Sequence, residues 1–277
     1  MNRINADTSP GVDRVTIRVL RHLKTEKCLA LLGTAMLIFG YIPNSLKIAR
    51  TVLIHKGDEP DNLKNYRPIS IFSVIRRTIE KVLDMKLRSY LSLSFHQRGF
   101  ISTPGTHINT YLINGCLQTA KSKKLSCCIA FLDVNKAFDS IGHKNLIRCL
   151  QHTDMPADLR TLIINLISEN ETQIEVAFNK TKPIKIMKGV PQGSPLSPTL
   201  FNLSIDHIIK YLTDINISKA YGFSTDPTLP ELSCLAFADD LALISTSITG
   251  IESLLHMTEA HLSSIGLTIN PHKSKLI

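Results

Sequence analysis

The stretch Cys234-Leu235-Ala236-Phe237-Ala238-Asp239-Asp240-Leu241-Ala242-Leu243-Ile244 sets the hardest condition on any fold this chain adopts. Two acids lie at the centre of an otherwise apolar run. Burying a carboxylate without a partner is costly, so the run must bring the pair to an edge or a cleft. Two short strands, Cys234–Phe237 and Leu241–Ser245, meeting at the acids satisfy that condition. In a straight strand neighbouring side chains point to opposite faces, whereas a tight turn lets both acids lie near one cleft. The plain alternative is a solvated hairpin turn, since aspartate favours turns.

A second acidic position bears on that choice. Asp133 ends the apolar run Cys127–Leu132 in Phe131-Leu132-Asp133-Val134-Asn135-Lys136-Ala137-Phe138-Asp139, either as a strand-end cap or as part of a site. If the fold sets Asp133 beside Asp239 and Asp240, like charges about 4 Å apart repel by roughly 4 kcal/mol at an effective dielectric near 20. Only cations or proton uptake relieve such a cluster. Magnesium takes oxygen ligands, is held by one or two carboxylates and keeps positions for substrate phosphates. Two such ions activate an attacking hydroxyl and stabilise a leaving oxygen in an in-line displacement, which is the chemistry of nucleotidyl transfer. A third element is Lys188-Gly189-Val190-Pro191-Gln192-Gly193-Ser194-Pro195-Leu196-Ser197-Pro198, with two glycines and three prolines. So many constrained residues present the backbone and Gln192 rigidly, for a site or for packing alone.

These three pieces together resemble the reverse transcriptase family. Phe131–Phe138 is similar to its first catalytic palm motif, Gly189–Pro198 to its template- and nucleotide-positioning motif, and Phe237–Asp240 to its aromatic-x-Asp-Asp motif. Gly266-Leu267-Thr268-Ile269-Asn270-Pro271-His272-Lys273 resembles the motif that follows, and Asn65–Ser70 and Gln97-Arg98-Gly99-Phe100 resemble finger-region motifs. Ser9-Pro10-Gly11-Val12-Asp13 resembles the extra N-terminal motif of non-LTR retrotransposons. Gly-Val-Pro-Gln-Gly-Ser-Pro-Leu-Ser-Pro with Arg-Pro-Ile-Ser is most like the type-two elements that insert into ribosomal RNA genes. Phe237 stands where tyrosine is commoner, and Ile101–Gly105 lacks the basic residues often found there.

The resemblance implies an RNA-directed DNA polymerase that extends a DNA primer on an RNA template with deoxynucleoside triphosphates. Asp133, Asp239 and Asp240 are then catalytic, with Asp133 and Asp239 ligating two Mg2+ ions (Mn2+ as a substitute) and Asp240 nearby tuning charge or primer position. Phe138 matches the ring that stands under the sugar and excludes a 2′-hydroxyl; otherwise it is a core aromatic. Gln192 and Gly193 touch the incoming nucleotide and template. Arg67, with Arg76 or Arg77, clamps the triphosphate, although the latter two also suit a solvated helix face. Lys273 protonates the departing pyrophosphate or is an ordinary surface lysine. Two other readings are a decayed or repurposed RNA-binding remnant, from which the loss of an acid would be expected, and an intron-encoded maturase-type reverse transcriptase. All three acids are intact.

Composition agrees with a polyanionic partner. Lys plus Arg number 32 against 23 Asp plus Glu, a net charge of +9. Six scattered cysteines, with no Cys-x-x-Cys pair and no zinc spacing, suit reduced and mostly buried thiols. The longest apolar stretch, Cys28–Ile42, is 15 residues, short of the roughly 20 that span a bilayer. It is expected as a buried helix, in an intracellular protein without a signal or membrane anchor whose reaction takes place in the nucleus. Elsewhere Ala49–His55 reads as a strand, Lys56–Asp61 as a loop, and Ile75, Ile79, Leu83, Leu87 and Leu91 as one long helix. Thr172–Phe178 with Pro183–Met187 makes a strand pair, Pro156 opens a helix over Ala157–Ile167, and Ser197-Pro198 opens another to about Leu212. Thr249 and Glu252 suggest a capping box for a helix that Gly266 stops.

The fold class expected is α+β on a mixed or antiparallel sheet, and by resemblance a right-hand polymerase's fingers and palm, the catalytic sheet packed on helices, the thumb absent. Residues 1–125 are expected to be mainly N-terminal extension and fingers, and 126–277 mainly palm with some finger insertion. Ile277 follows Lys273 by only four residues. Grip on a duplex is therefore expected from Arg67, Arg76, Arg77, Lys121, Lys123 and Lys124, and phosphate contacts of that kind weaken with salt.

Overall fold

Alternation of apolar strands with amphipathic helices gives a mixed α/β architecture, seen here in a computed structural model that describes residues 5–57, 59–102, 105–176, 179–226 and 228–277. Asp58, Thr103, Pro104, Ala177 and Phe178, which fall in stretches read above as a loop, a segment poor in basic residues and a strand, lie outside the described residues. The elements in chain order begin with α1 (Ile17–His22), α2 (Glu26–Phe39), α3 (Asn44–Lys47), β1 (Ile48–His55), β2 (Tyr66–Ile71) and α4 (Val74–Arg88). There follow α5 (Gly105–Lys123), β3 (Cys128–Leu132), α6 (Ala137–Ser140), α7 (His143–Gln151), α8 (Ala157–Ile167), β4 (Glu171–Val176), β5 (Asn179–Lys180) and β6 (Ile184–Lys185). The last are α9 (Ser197–Leu212), α10 (Ile215–Tyr221), β7 (Cys234–Phe237), β8 (Asp240–Ser245), α11 (Ile248–Ser264) and β9 (Lys275–Leu276). None of the described helices is long and apolar enough to cross a membrane.

Contacts divide the chain into two units. The first comprises Met1–Leu91 and Leu146–Ser197, the second Ser92–Asn145 and Pro198–Ile277.

In the first unit the strand order is β2-β1-β4-β5, with β6 also on β4. β1 runs antiparallel to β2 and parallel to β4, so this sheet is mixed. Pro68 sits on β2, a terminal strand of that order, where its missing N–H costs no ladder bond. Helix α4 is capped by Ser73, whose hydroxyl accepts from the Ile75 N–H at 3.2 Å. It buries Val74, Ile79, Leu83 and Leu87, a stripe at helical spacing. Helix α2 packs on α8 and α4. It is not the buried helix its composition suggests: Met36 is buried, whereas Leu31, Ile38 and Phe39 are 70–79% exposed. Two helices cover one side of α2 and leave the other bare.

The second unit is built on an antiparallel sheet in the order β7-β8-β3-β9. Strand β8 is buried from Leu241 to Ser245, as expected of a central strand. Helix α11 lies against β8 and β3, and α5 against β7. Ile129, Leu235, Ala242 and Ile244 from the strands close a core with Cys116, Ala120 and Phe223. Each fully buried aliphatic side chain there contributes about 1.5–3 kcal/mol. The capping box assigned to Thr249 and Glu252 is displaced by two residues. Ser247 is the cap, accepting from the Gly250 N–H at 3.0 Å, and Thr249 lies inside the helix. Gly266 does end the helix, at φ +82°. All six cysteines are free; Cys116 and Cys234 are buried, while Cys28 is exposed.

Candidate active site

The acidic hairpin forms in the second unit. Phe237 pairs with Asp240 across β7 and β8, leaving Ala238 and Asp239 as a two-residue turn. Such turns need positive φ at the first central residue, and Ala238 stands at +56°. For alanine that conformation costs about 1–3 kcal/mol unless its surroundings hold it.

Asp133 reaches the same place by register. β3 and β8 pair Phe131 with Ala242 and Leu132 with Leu241, so one step further Asp133 faces Asp240. The electrostatics agree. Burial raises the Asp239 carboxyl above its ordinary value, a hydrogen bond at its own backbone draws it part of the way back, and the charges of Asp240 and Asp133 push it up again. The Asp240 carboxyl is also raised, by burial and then by Asp133. Three acids from two chain segments thus lie near enough to feel one another's charge.

Asp133 is held by the turn of the Gly266–Lys273 motif, in a role for Asn270 that the sequence reading did not assign. Asn270 Nδ2 donates to Asp133 Oδ2 at 3.2 Å, and the Asn270 N–H donates to the Asp133 carbonyl at 2.8 Å. Ser274 Oγ accepts from the Asp133 N–H at 3.2 Å and donates to the Asn270 carbonyl at 2.8 Å. The Asn270-Pro271 dipeptide, a favoured way to open a turn, was the available signal. Lys273 lies in this turn with its side chain exposed. Phe138, half-buried at the start of α6, stacks on Phe201 with ring centroids 4.6 Å apart and meets Phe100 edge-on at 5.8 Å. Its ring is therefore fixed in orientation.

Hard carboxylate oxygens suit magnesium, which needs only one or two from the protein. Among the described residues no group of three or more His, Cys, Asp or Glu side chains is placed to hold a metal ion. The donor set fits an ion whose remaining positions come from water and phosphate.

The other candidates belong to the first unit. Arg67 is exposed on β2, opposite Ile54. The Gln192 carbonyl accepts from the Ser70 N–H at 2.8 Å, which docks the Gly189–Pro198 loop on the same strand. Gly193 has φ +114°, and a Cβ there would lie 2.7 Å from the Ser70 carbonyl oxygen, so the position requires glycine.

Arg76 is not available to clamp a triphosphate. It is 2% exposed and ion-paired to Glu80 at 2.7 Å. Its remaining donors go to the Leu46 carbonyl at 2.9 Å, Asn170 Oδ1 at 2.7 Å and the Leu166 carbonyl at 2.8 Å. Ser194 completes the network by donating to Glu80 at 2.8 Å, so this buried pair anchors the loop that carries Gln192. Arg77 is half-buried and donates to the Ser9 carbonyl, and burial lowers its pKa below the usual arginine value.

Residues 54–277 match the family model described as reverse transcriptase (RNA-dependent DNA polymerase). The chain is 32% identical over 266 residues to a retrovirus-related Pol polyprotein from the type-1 retrotransposable element R2 of Nasonia vitripennis, covering 96% of this chain and 25% of that one. It is also 32% identical over 272 residues to the Pol polyprotein of the type-2 element R2DM of Drosophila melanogaster, covering 98% and 25%. The chain thus spans about a quarter of the length of these relatives. Among solved structures, a telomerase from Candida tropicalis in complex with a fragment of telomeric RNA superposes with a TM-score of 0.59 at 11% identity, covering 85% of this chain and 41% of that one.

Proposed function

The chain belongs to the reverse transcriptase (RNA-dependent DNA polymerase) family, and from that premise we propose that it copies an RNA template by extending a DNA primer with deoxynucleoside triphosphates. The observation that carries this reading is the β3–β8 register, which makes Asp133 and the Asp239-Asp240 turn neighbours. Homologues named as retrotransposon polymerases support it.

Asp133 and Asp239 hold the metal, with Asp240 adding negative charge at the rim. Two Mg2+ ions held there, or Mn2+ in their place, would supply activation of the primer hydroxyl and stabilisation of the leaving oxygen. Asn270 orients the Asp133 carboxylate by donating to one of its oxygens. Phe138, held flat against Phe201, offers its edge as a limit on the sugar. Lys273 carries a proton that can pass to the departing pyrophosphate. In the first unit, Arg67 supplies charge for the triphosphate, and Gln192 and Gly193 present backbone and amide to the nucleotide and template. Arg76 has no part in this reading, and Arg77 contributes only through the charge of its half-buried guanidinium. The reaction is assigned to the nucleus on the retrotransposon homology.

The test is extension of a labelled DNA primer on an RNA template, with Mg2+ present and then chelated. The expected result is metal-dependent synthesis that Asp133→Asn and Asp239→Asn both abolish while RNA binding stays near wild type. Near-normal synthesis by Asp239→Asn would sink the assignment.

A further inference from the structure

Asp239 and Asp240 leave a turn whose first residue is an alanine in a glycine's conformation. Something must hold it there. The segment around Gln97 runs beside β7 as an isolated parallel bridge, Gln97 opposite Ala236. The Ala236 N–H donates to the His96 carbonyl at 3.0 Å, and the Arg98 N–H donates to the Ala236 carbonyl at 2.9 Å. From that bridge the Gln97 side chain, 1% exposed, reaches over the turn. Its Oε1 accepts from the Ala238 N–H at 2.8 Å, and its Nε2 donates to the Ala238 carbonyl at 3.1 Å. The same Oε1 accepts from the Gly99 N–H at 2.8 Å. A Cβ on Gly99 would lie 2.2 Å from the Ala238 nitrogen, so the approach needs glycine at 99. Asn202 in turn donates to the Gly99 carbonyl at 2.8 Å and is itself buried.

One amide therefore saturates both backbone polar groups of the residue that aims the two acids. A buried glutamine placed this way has only one geometry that satisfies donor and acceptor together. We infer that Gln97 is a positioning residue for the reaction, fixing the Ala238 turn that sets Asp239 and Asp240 beside Asp133. Its catalytic consequence rests on the polymerase reading above; the clamp itself does not.

Gln97→Met keeps length and burial but removes both bonds. Three measurements decide the matter. In hydrogen exchange, the wild-type Ala238 and Gly99 amides should be protected, and Gln97→Met should speed exchange at Ala238 about tenfold or more while amides in α11 keep their rates. In primer extension, the rate per titrated active site should fall about tenfold and the Mg2+ concentration at half-maximal rate should rise, with the KM for deoxynucleotide near wild type. Adding Ala238→Gly to Gln97→Met should recover part of the rate, since glycine takes positive φ without strain. Wild-type Ala238 exchanging as fast as an exposed loop amide would overturn the clamp without any variant, even if the substitution prevents folding. Loss of activity matched by loss of active sites, with per-site rate and Mg2+ dependence unchanged, would reduce Gln97 to a packing residue. If the wild type extends no primer while the exchange results hold, the polymerase reading falls and the clamp stands.

Discussion

Two charged clusters, one in each unit, are built on opposite rules. Around Arg76 a buried cation meets a buried anion, and the neighbouring polar groups satisfy its remaining donors. Around Asp239 three groups of one sign are gathered, and the pKa values of two rise, first through burial and then through the neighbouring negative charge. A satisfied pair holds a fold together, and breaking it strands a charge. A set of like charges holds nothing together, and is relieved by a cation from outside or by taking up a proton. The first cluster is architecture, and the second is the metal site proposed above.

The sharpest way to break that contrast is to neutralise each cluster in turn. Asp239→Asn or Asp133→Asn should lower primer extension about a thousandfold or more, the scale on which bound metal stabilises charge in the transition state. Both proteins should remain folded, as circular dichroism will report. Arg76→Ala should do the reverse, destabilising the fold by about 3–5 kcal/mol in urea denaturation because Glu80 is left buried without its cation. An Arg76→Ala protein of wild-type stability that binds nucleotide poorly would move Arg76 out of the architecture and into the site.

A subtler test uses the sign of the carboxyl shifts. Asp239 is raised in the folded state, so it binds protons more readily folded than unfolded. Its penalty is fully present above the folded pKa and disappears as pH falls below the unfolded value near 3.9. Without divalent metal, Asp239→Asn should therefore melt above the wild type at neutral pH, and the difference should shrink as the solution is acidified. Mg2+ should raise the wild-type Tm at neutral pH and raise that of Asp239→Asn less. Equal Mg2+ shifts in both proteins would place the metal elsewhere. Smaller again is the effect at Phe138. Phe138→Val loses the Phe201 stack, worth about 0.5–1.5 kcal/mol, and should relax discrimination against ribonucleotides by about tenfold, measured as the ratio of kcat/KM for the two sugars. An unchanged ratio in a folded variant returns Phe138 to packing alone.

The site was more legible in the sequence than the architecture that supports it. Asp133, Asp239 and Asp240 stand inside apolar runs, where an acid is conspicuous, and strand ends Leu132 and Leu241 could be read beside them. Arg76 was misjudged although its position carried a signal. It falls three residues before Ile79 and seven before Leu83, on the buried face of α4, and four before Glu80. That spacing marks an internal ion pair as readily as a solvated one. Helix α5 was missed because Gly105, Cys116 and Ala120 are its buried residues, too few and too small to draw an apolar stripe. The cap of α11 was misplaced because Ser245, Ser247 and Thr249 all offer hydroxyls, and only backbone geometry chooses Ser247. Gln97 and Asn270 act across 141 and 137 residues, to Ala238 and Asp133 respectively, a distance at which spacing carries no information.

The pairing of β3 with β8 also sets a schedule. Strand β3 leaves the ribosome more than a hundred residues before β8. At about 5–20 residues per second it therefore waits several seconds or longer for the strand that covers it. Closing a loop of that length costs about 4 kcal/mol of chain entropy, recovered only when Leu132 meets Leu241 along the full register. During the wait, Cys128–Leu132 is an apolar edge with no mate, the segment of the nascent chain that most needs a chaperone. A polypeptide interrupted before Asp239 carries Asp133 but not the acids it is set beside. The acidic centre is thus assembled all at once and late, and a partly synthesised chain has no partial version of it.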